Sequence, residues 1–228
     1  MITSQGSRLR PSQRMRIAYL LTIVGGYLDA YTYFMRGGVF ANAQTGNIVK
    51  LGIALADDVK NPYASYLLPI ASFVLGLVLS LVIKRHLDRA GVRLARRTVL
   101  ALEVIGLVVV SLIPLDDVWN TPANCIVSML AALQYETFTT FRGDAIVTTM
   151  STGNLRKMVD ALFEGTVEHD RASLMRAGRF LSIIATFAFG AFLGTKACSY
   201  LVGWAPLPAA ALLTAAIVII TVLHRQSD

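Results

Sequence analysis

Three carboxylic acids sit inside long apolar runs of this sequence: Asp29, Glu103 and Glu136. An ionised carboxylate at mid-helix in a bilayer costs about 2.5–3.5 kcal/mol on insertion scales, so such residues face a cavity, a partner or a proton path. Asp29 lies about 18 Å along its run and Glu136 about 20 Å along its own, at 1.5 Å per helical residue. Both are placed to bind protons or cations. The alternative is a neutral acid or an ion pair that fixes packing, with Arg36 or Arg142, which follow the two acids by two helical turns. Glu103 is only about 9 Å deep and can reach the surface by snorkelling, so it is a secondary candidate.

The tripeptide Thr-Gly-Asn occurs at Thr45-Gly46-Asn47 and again at Thr152-Gly153-Asn154, 107 residues later. In the same register Asp29 falls on Glu136, Tyr31 on Phe138 and Phe34 on Phe141. Further on, Phe73-Val74-Leu75-Gly76 resembles Phe187-Ala188-Phe189-Gly190, the second connection being seven residues longer. These matches indicate an internal duplication. Residues 37–45 can extend about 30 Å, enough to dip to the membrane midplane, and a helix of about 11 residues from Gly46 would rise about 16 Å back out. Thr45 or Thr152 could cap such a helix start, Asn47 or Asn154 could present an amide there, and Gly46 and Gly153 permit close backbone approach. Free N–H groups at a helix start suit anions or carbonyl-type ligands. The competing reading is a surface helix, since Leu155, Met158, Val159 and Leu162 form one apolar face opposite Arg156, Lys157, Asp160 and Glu164. The first copy, nearly all apolar from Ile48 to Ala56, favours dipping; the second leaves both readings open.

The elements that must position these groups follow from composition. Hydrophobic residues make up 55% and charged residues 15% of the 228, and mean hydropathy is +0.59, against roughly 25% charge in soluble domains. A free cytoplasmic enzyme and a disordered chain are both excluded. Six runs are long enough to cross a bilayer, at about 17–25 residues each: 17–35, 64–83, 98–115, 123–141, 177–202 and 206–223. The segments 46–56 and 153–164 are too short. Of the 21 Lys and Arg, 17 fall in the first tail, in 84–97, in 142–179 and in the last tail, which by the positive-inside rule puts both termini in the cytoplasm. The net charge of +7 is thus explained by topology, and its loop-by-loop spread argues against nucleic acid. Three spans per half is odd, so the halves are inverted, as in many secondary transporters with a midplane site between repeats. The first Thr-Gly-Asn loop then faces outside and the second the cytoplasm.

Residues 1–16 read as a basic tail, 17–97 as the first two spans and a basic loop of the first repeat, 98–122 as its third span and outer loop, and 123–228 as the inverted second repeat. The arginines before the first run superficially suit a signal peptide, but no clean cleavage site follows, so the run reads as a retained anchor. Gly190 and Gly194, matched by Ser72, Gly76 and Ser80, predict close packing of the second span on the fifth, with homodimerisation by the same faces as the runner-up. Cys125 and Cys198 lie in apolar runs and form no disulfide framework. His86, His169 and His224 lack ligand spacing, and no nucleotide loop or nucleophile motif appears. Neither a metal, a cofactor nor an enzyme activity is expected.

Gly25-Gly26-Tyr27-Leu28-Asp29-Ala30, then Gly37-Gly38-Val39-Phe40 and Gln44-Thr45-Gly46-Asn47, resemble the start of the YoaK-like family of small bacterial integral membrane proteins, over essentially the whole chain. The resemblance implies a multi-helix fold in the bacterial inner membrane and carries no substrate. The expectation is therefore an all-α membrane protein of six transmembrane helices in two inverted three-helix repeats, each with a short Thr-Gly-Asn helix after its first span. It would be a small-solute or ion transporter, with Asp29, Glu136, Thr45, Gly46, Asn47, Thr152, Gly153 and Asn154 as binding residues and Glu103, Arg36 and Arg142 as secondary ones. The alternative is a non-transporting scaffold or assembly partner whose buried acids are structurally paired.

Overall fold

The computed structural model describes residues 11–56, 63–87 and 92–225; Arg8 and Arg10 of the basic tail, Lys60 and Arg89 lie outside the described residues. The described chain is helical, with a single isolated β-bridge, Phe141 to Asp144. Its helices are α1 (Pro11–Met35), α2 (Gln44–Ala56), α3 (Ala64–Leu87), α4 (Val92–Leu112), α5 (Asp117–Thr137), α6 (Thr152–Val167), α7 (Arg171–Leu201) and α8 (Pro206–Arg225), with a 3-10 turn at Val202–Trp204 before α8. All six long runs and both short segments are helices. Their ends differ from the hydropathy reading where capping decides. Pro11 opens α1 six residues early, at the one helical position where a missing N–H costs nothing. Asp116 accepts the Trp119 amide (3.0 Å) and starts α5 early. Asp170 accepts the amides of Ala172 and Ser173 (3.0 and 2.9 Å) and starts α7; the Ser173 hydroxyl, and then these amides, hold its carboxyl below the usual range.

Two helices are long and apolar enough to cross a membrane by length and composition, Ala64–His86 and Arg171–Trp204, and Pro206–Val222 is a shorter apolar one. The all-helical expectation is thus met among the described residues, and two of the six expected spans meet the length and hydropathy of a membrane crossing. The reason lies in the side chains that α1, α4 and α5 bury: Thr22, Asp29, Thr32, Glu103, Asn124, Ser128 and Gln134.

The long helices pair across the halves. α1 packs on α7 and α5 on α3; α1 packs on α8 and α5 on α4; α4 packs on α8. Exchanging α1 with α5, α3 with α7 and α4 with α8 maps each of these packings onto another or onto itself. The short helices lie on the next long helix of their own half, α2 on α3 and α6 on α7. Small residues set the crossings. A Cβ on Gly26 would sit 2.0 Å from the Phe187 carbonyl oxygen, one on Gly190 2.3 Å from that of Ile23, one on Gly194 2.5 Å from that of Tyr27, and one on Gly76 2.5 Å from that of Met129. The small-residue faces of α3 and α7 therefore do not seal those two helices together, as the sequence suggested. Each receives the first long helix of the other half, because backbone-to-backbone contact is available only where both partners lack bulk.

Candidate functional site

Each half inserts an irregular loop between its first long helix and its short helix. The first opens on Gly37 and Gly38, both left-handed at φ 77° and 74°, a conformation glycine adopts without strain. The second opens on Arg142 and Gly143 at φ 54° and 89°. Beyond these turns the two loops are held by the same bonds. The Phe40 amide donates to Asn47 Oδ1 (3.0 Å) and Asn47 Nδ2 donates to the Phe40 carbonyl (2.6 Å). The Val147 amide donates to Asn154 Oδ1 (3.1 Å) and Asn154 Nδ2 donates to the Val147 carbonyl (2.6 Å). Lys50 donates to the Gly38 carbonyl, and Lys157 to that of Ala145. Each pair is offset by the 107 residues of the sequence repeat. Both asparagines are fully buried, so their amides clamp their own loops and are not offered to a ligand.

The first loop is also tied to α1. The Ala41 amide donates to Thr32 Oγ1 (3.1 Å), the Asn42 amide to Asp29 Oδ1 (2.8 Å), and Asn42 Nδ2 to the Gly25 carbonyl (2.8 Å). Buried backbone amides need such partners, and α1 supplies them through its polar side chains. The second loop crosses α1 at the same glycine: a Cβ on Gly25 would lie 2.6 Å from the Thr148 carbonyl oxygen. Gln134 on α5 bridges to the Thr148 hydroxyl (3.1 Å) and to the Leu21 carbonyl (3.3 Å).

Where the loops meet, a cavity of about 430 Å³ opens between them and α7. Asp29 is its single acid. Tyr33, Phe34, Phe40 and Phe187 give it aromatic walls, and Thr45, Ser151, Thr152 and Thr195 give it hydroxyls; among the described residues no Lys or Arg lines it. Thr45 and Thr152, one from each repeat, share this space. Thr152 is the first residue of α6 and the preceding Ser151 makes no side-chain cap bond, so capping is not the role of these residues. Gly46 lies against the Phe40 ring, with its Cβ position 3.0 Å from the ring edge, and Gly153 has open space around it.

The remaining candidates lie elsewhere. Glu136 is not in the cavity. It pairs with Lys84 of α3 at 2.7 Å, and the same ammonium also donates to the Glu136 backbone carbonyl. Neither acid has the arginine partner the sequence suggested. Arg36 is fully buried and closes the end of α4, donating to the carbonyls of Val110 (3.2 Å), Ile113 (2.9 Å) and Pro114 (2.6 Å) and to the Tyr31 hydroxyl (2.8 Å). Those carbonyls carry the negative end of the helix dipole, which offsets the guanidinium charge. Arg142 is exposed in the turn that opens the second loop. Glu103 does not snorkel: it is 2% exposed and its Oε1 has no hydrogen-bond partner among the described residues.

Sequence reasoning missed one charged cluster. Asp144, in the second loop, pairs with Arg176 (2.9 Å) and Arg179 (2.8 Å) at the start of α7. The signal was the lone acid two residues after Arg142, inside a segment read only for its cations. It also missed the aromatic lining and Thr195, which sit in apolar runs without a polar pattern. Among the described residues no group of three or more His, Cys, Asp or Glu gathers to hold a metal.

Two apolar helices of membrane-spanning length, two loops clamped by the same bonds in the register of the sequence repeat and a cavity between them define a helical protein with a loop-lined interior. Residues 17–220 match the family described as protein of unknown function DUF1275, and the chain belongs to that family. No curated protein and no solved structure matches it.

Proposed function

We propose that this chain is a multi-pass transporter of the bacterial cytoplasmic membrane, with six spans in two inverted repeats, both termini in the cytoplasm, and a site for a small solute or ion where the two Thr-Gly-Asn loops meet. One observation carries the reading: Thr45 and Thr152, which the charge pattern assigns to loops entering from opposite faces, line the same cavity with Asp29. Two such loops reach a common space only by entering the membrane. Irregular backbone at that depth is tolerated where it is buried in protein or lines a cavity, and the clamps on Phe40 and Val147 supply the partners it needs. The exchanged packing of α1 on α7 and α5 on α3 suits rocking of one half against the other. Outward-facing Leu67, Leu68, Val74, Leu75, Val78 and Leu81 on α3 suit a lipid surround, with the bilayer as the surrounding partner.

A non-transporting scaffold is the second reading. It is favoured by Glu136 and Asp144, both paired to cations, and disfavoured by Asp29, which accepts the Asn42 loop amide and has no ion pair among the described residues. Single cysteines at Ala43 and Met150, in a chain lacking Cys125 and Cys198, separate the two. In proteoliposomes a membrane-impermeant maleimide should reach each position from one face at a time, with the reactive face changing when solute is added. Labelling of each from one fixed face under all conditions would overturn the transport reading.

A further inference from the structure

The duplication supplies an internal comparison at the cavity. The register that sets Phe73 on Phe187 and Gly76 on Gly190 sets Ser80 on Gly194, Leu81 on Thr195 and Lys84 on Cys198. In the second half, the acid Glu136 has a built-in cation: the Lys84 ammonium at 2.7 Å. In the first half, the matching acid is Asp29 and the matching α7 position is Cys198, which carries no positive charge. The neighbouring Lys196 lies over the Phe192 ring (5.8 Å to its centroid), and Arg36 is used on α4. Where one half pairs its acid with a lysine, the other leaves its acid on the cavity wall without a cation in the lining, among the described residues.

We infer that the cavity takes a small organic cation of the alkylammonium class, which fills at Asp29 the place that Lys84 fills at Glu136. This assignment rests on reading the cavity as the solute site. A single acid without a lining base selects positive charge. Aromatic faces attract a desolvated ammonium through the ring quadrupole, which is the usual basis of quaternary ammonium recognition. Lys50 already claims two of the rings, its ammonium lying 4.7 Å from the Tyr33 centroid and 4.9 Å from that of Phe40. Phe34 and Phe187 carry no cation among the described residues and are the faces left for a ligand. The threonine and serine hydroxyls in the lining suit a substituent that accepts or donates one hydrogen bond. Bulk is limited by about 430 Å³ of space, which fits a pocket for a small molecule.

The test uses the full chain in lipid nanodiscs and isothermal titration with choline and its neutral carbon isostere, 3,3-dimethylbutan-1-ol. The two differ in charge and hardly in shape. Choline should bind at least tenfold more tightly than the alcohol. Asp29→Asn should remove that preference, and Phe34→Leu, at an exposed lining position, should weaken choline severalfold and leave the alcohol unchanged. Thr195→Lys, which puts an ammonium on the α7 wall of the cavity, should abolish choline binding, and it serves if Asp29→Asn disturbs the loop that Asp29 holds. Equal binding of the two probes by the wild-type chain, or no binding of choline, would overturn the assignment whatever the variants do. The transport reading fails separately: choline that binds in an Asp29-dependent way but is not taken up by proteoliposomes would remove transport and leave the cation site. Uptake of a neutral or anionic solute that ignores choline would do the reverse.

Discussion

Replacing Asn47 by alanine tests whether the motif asparagines clamp their loops or serve a ligand. The substitution removes the acceptor of the Phe40 amide, the donor to the Phe40 carbonyl and the donor to Gln44 Oε1. Gln44 can turn its amide elsewhere, so two backbone groups lose partners. An orphaned buried group costs about 1–3 kcal/mol, which gives about 2–6 kcal/mol before relaxation, and water entering the vacated space brings this toward about 3 kcal/mol. For a chain of this size 1 kcal/mol lowers the melting temperature by roughly 2–4 °C, so the purified variant should melt roughly 6–12 °C lower. Asn154→Ala should cost more, because Asn154 Nδ2 also donates to the Met150 carbonyl (3.1 Å), a backbone group with no freedom to turn. Hydrogen exchange gives the local readout. The Phe40 amide should lose protection in Asn47→Ala and the Val147 amide in Asn154→Ala, each without the other. An Asn47→Ala chain that melts like the wild type but loses solute binding would refute the clamp and return the asparagine to the site.

Gly190→Ala forces a methyl to within 2.3 Å of the Ile23 carbonyl oxygen; neither backbone can yield cheaply, and overpacking of this kind costs about 1–3 kcal/mol, measurable as a lower melting temperature, whereas Gly153→Ala, with open space around it, should leave it unchanged. Arg36→Lys replaces a fork reaching three carbonyls and a hydroxyl by a single ammonium, and should destabilise by about 2–4 kcal/mol through carbonyls left unpaired at the end of α4. Glu136→Gln should cost under about 1 kcal/mol, since the pair is about a third exposed and Lys84 keeps its bond to the residue 136 carbonyl; a melting temperature lowered by more than about 4 °C would show that the ion pair does more than join α3 to α5.

Helix positions were legible because apolar runs of this length leave the backbone little alternative to satisfying itself. Helix ends were less so, because Asp116 and Asp170 act through one and two backbone amides and leave no trace in hydropathy. The repeat was legible in Thr-Gly-Asn, yet the motif's chemistry was misassigned. From sequence alone an asparagine beside a helix start looks offered to a ligand; only the fold reveals that the chain doubles back seven residues earlier and uses the amide on itself. The partner of Glu136 was illegible for a related reason. Lys84 lies 52 residues away in sequence and was counted among the cations of a loop, whereas α3 runs long enough to carry it alongside α5.

The same comparison explains why duplication need not give two sites. A duplicated chain starts with equivalent acids, and the packing of α1 on α7 and of α5 on α3 sets each beside the same kind of helix. Among the positions that differ between them is one on the facing helix, lysine at 84 and cysteine at 198. With lysine, the acid is neutralised and joins two helices, so its neighbourhood can close. With cysteine, the acid receives no countercharge from that position, and the Asn42 amide that bonds it supplies a dipole and not a charge. A chain that closes one acid and leaves the other open concentrates its polar cost at a single interior point.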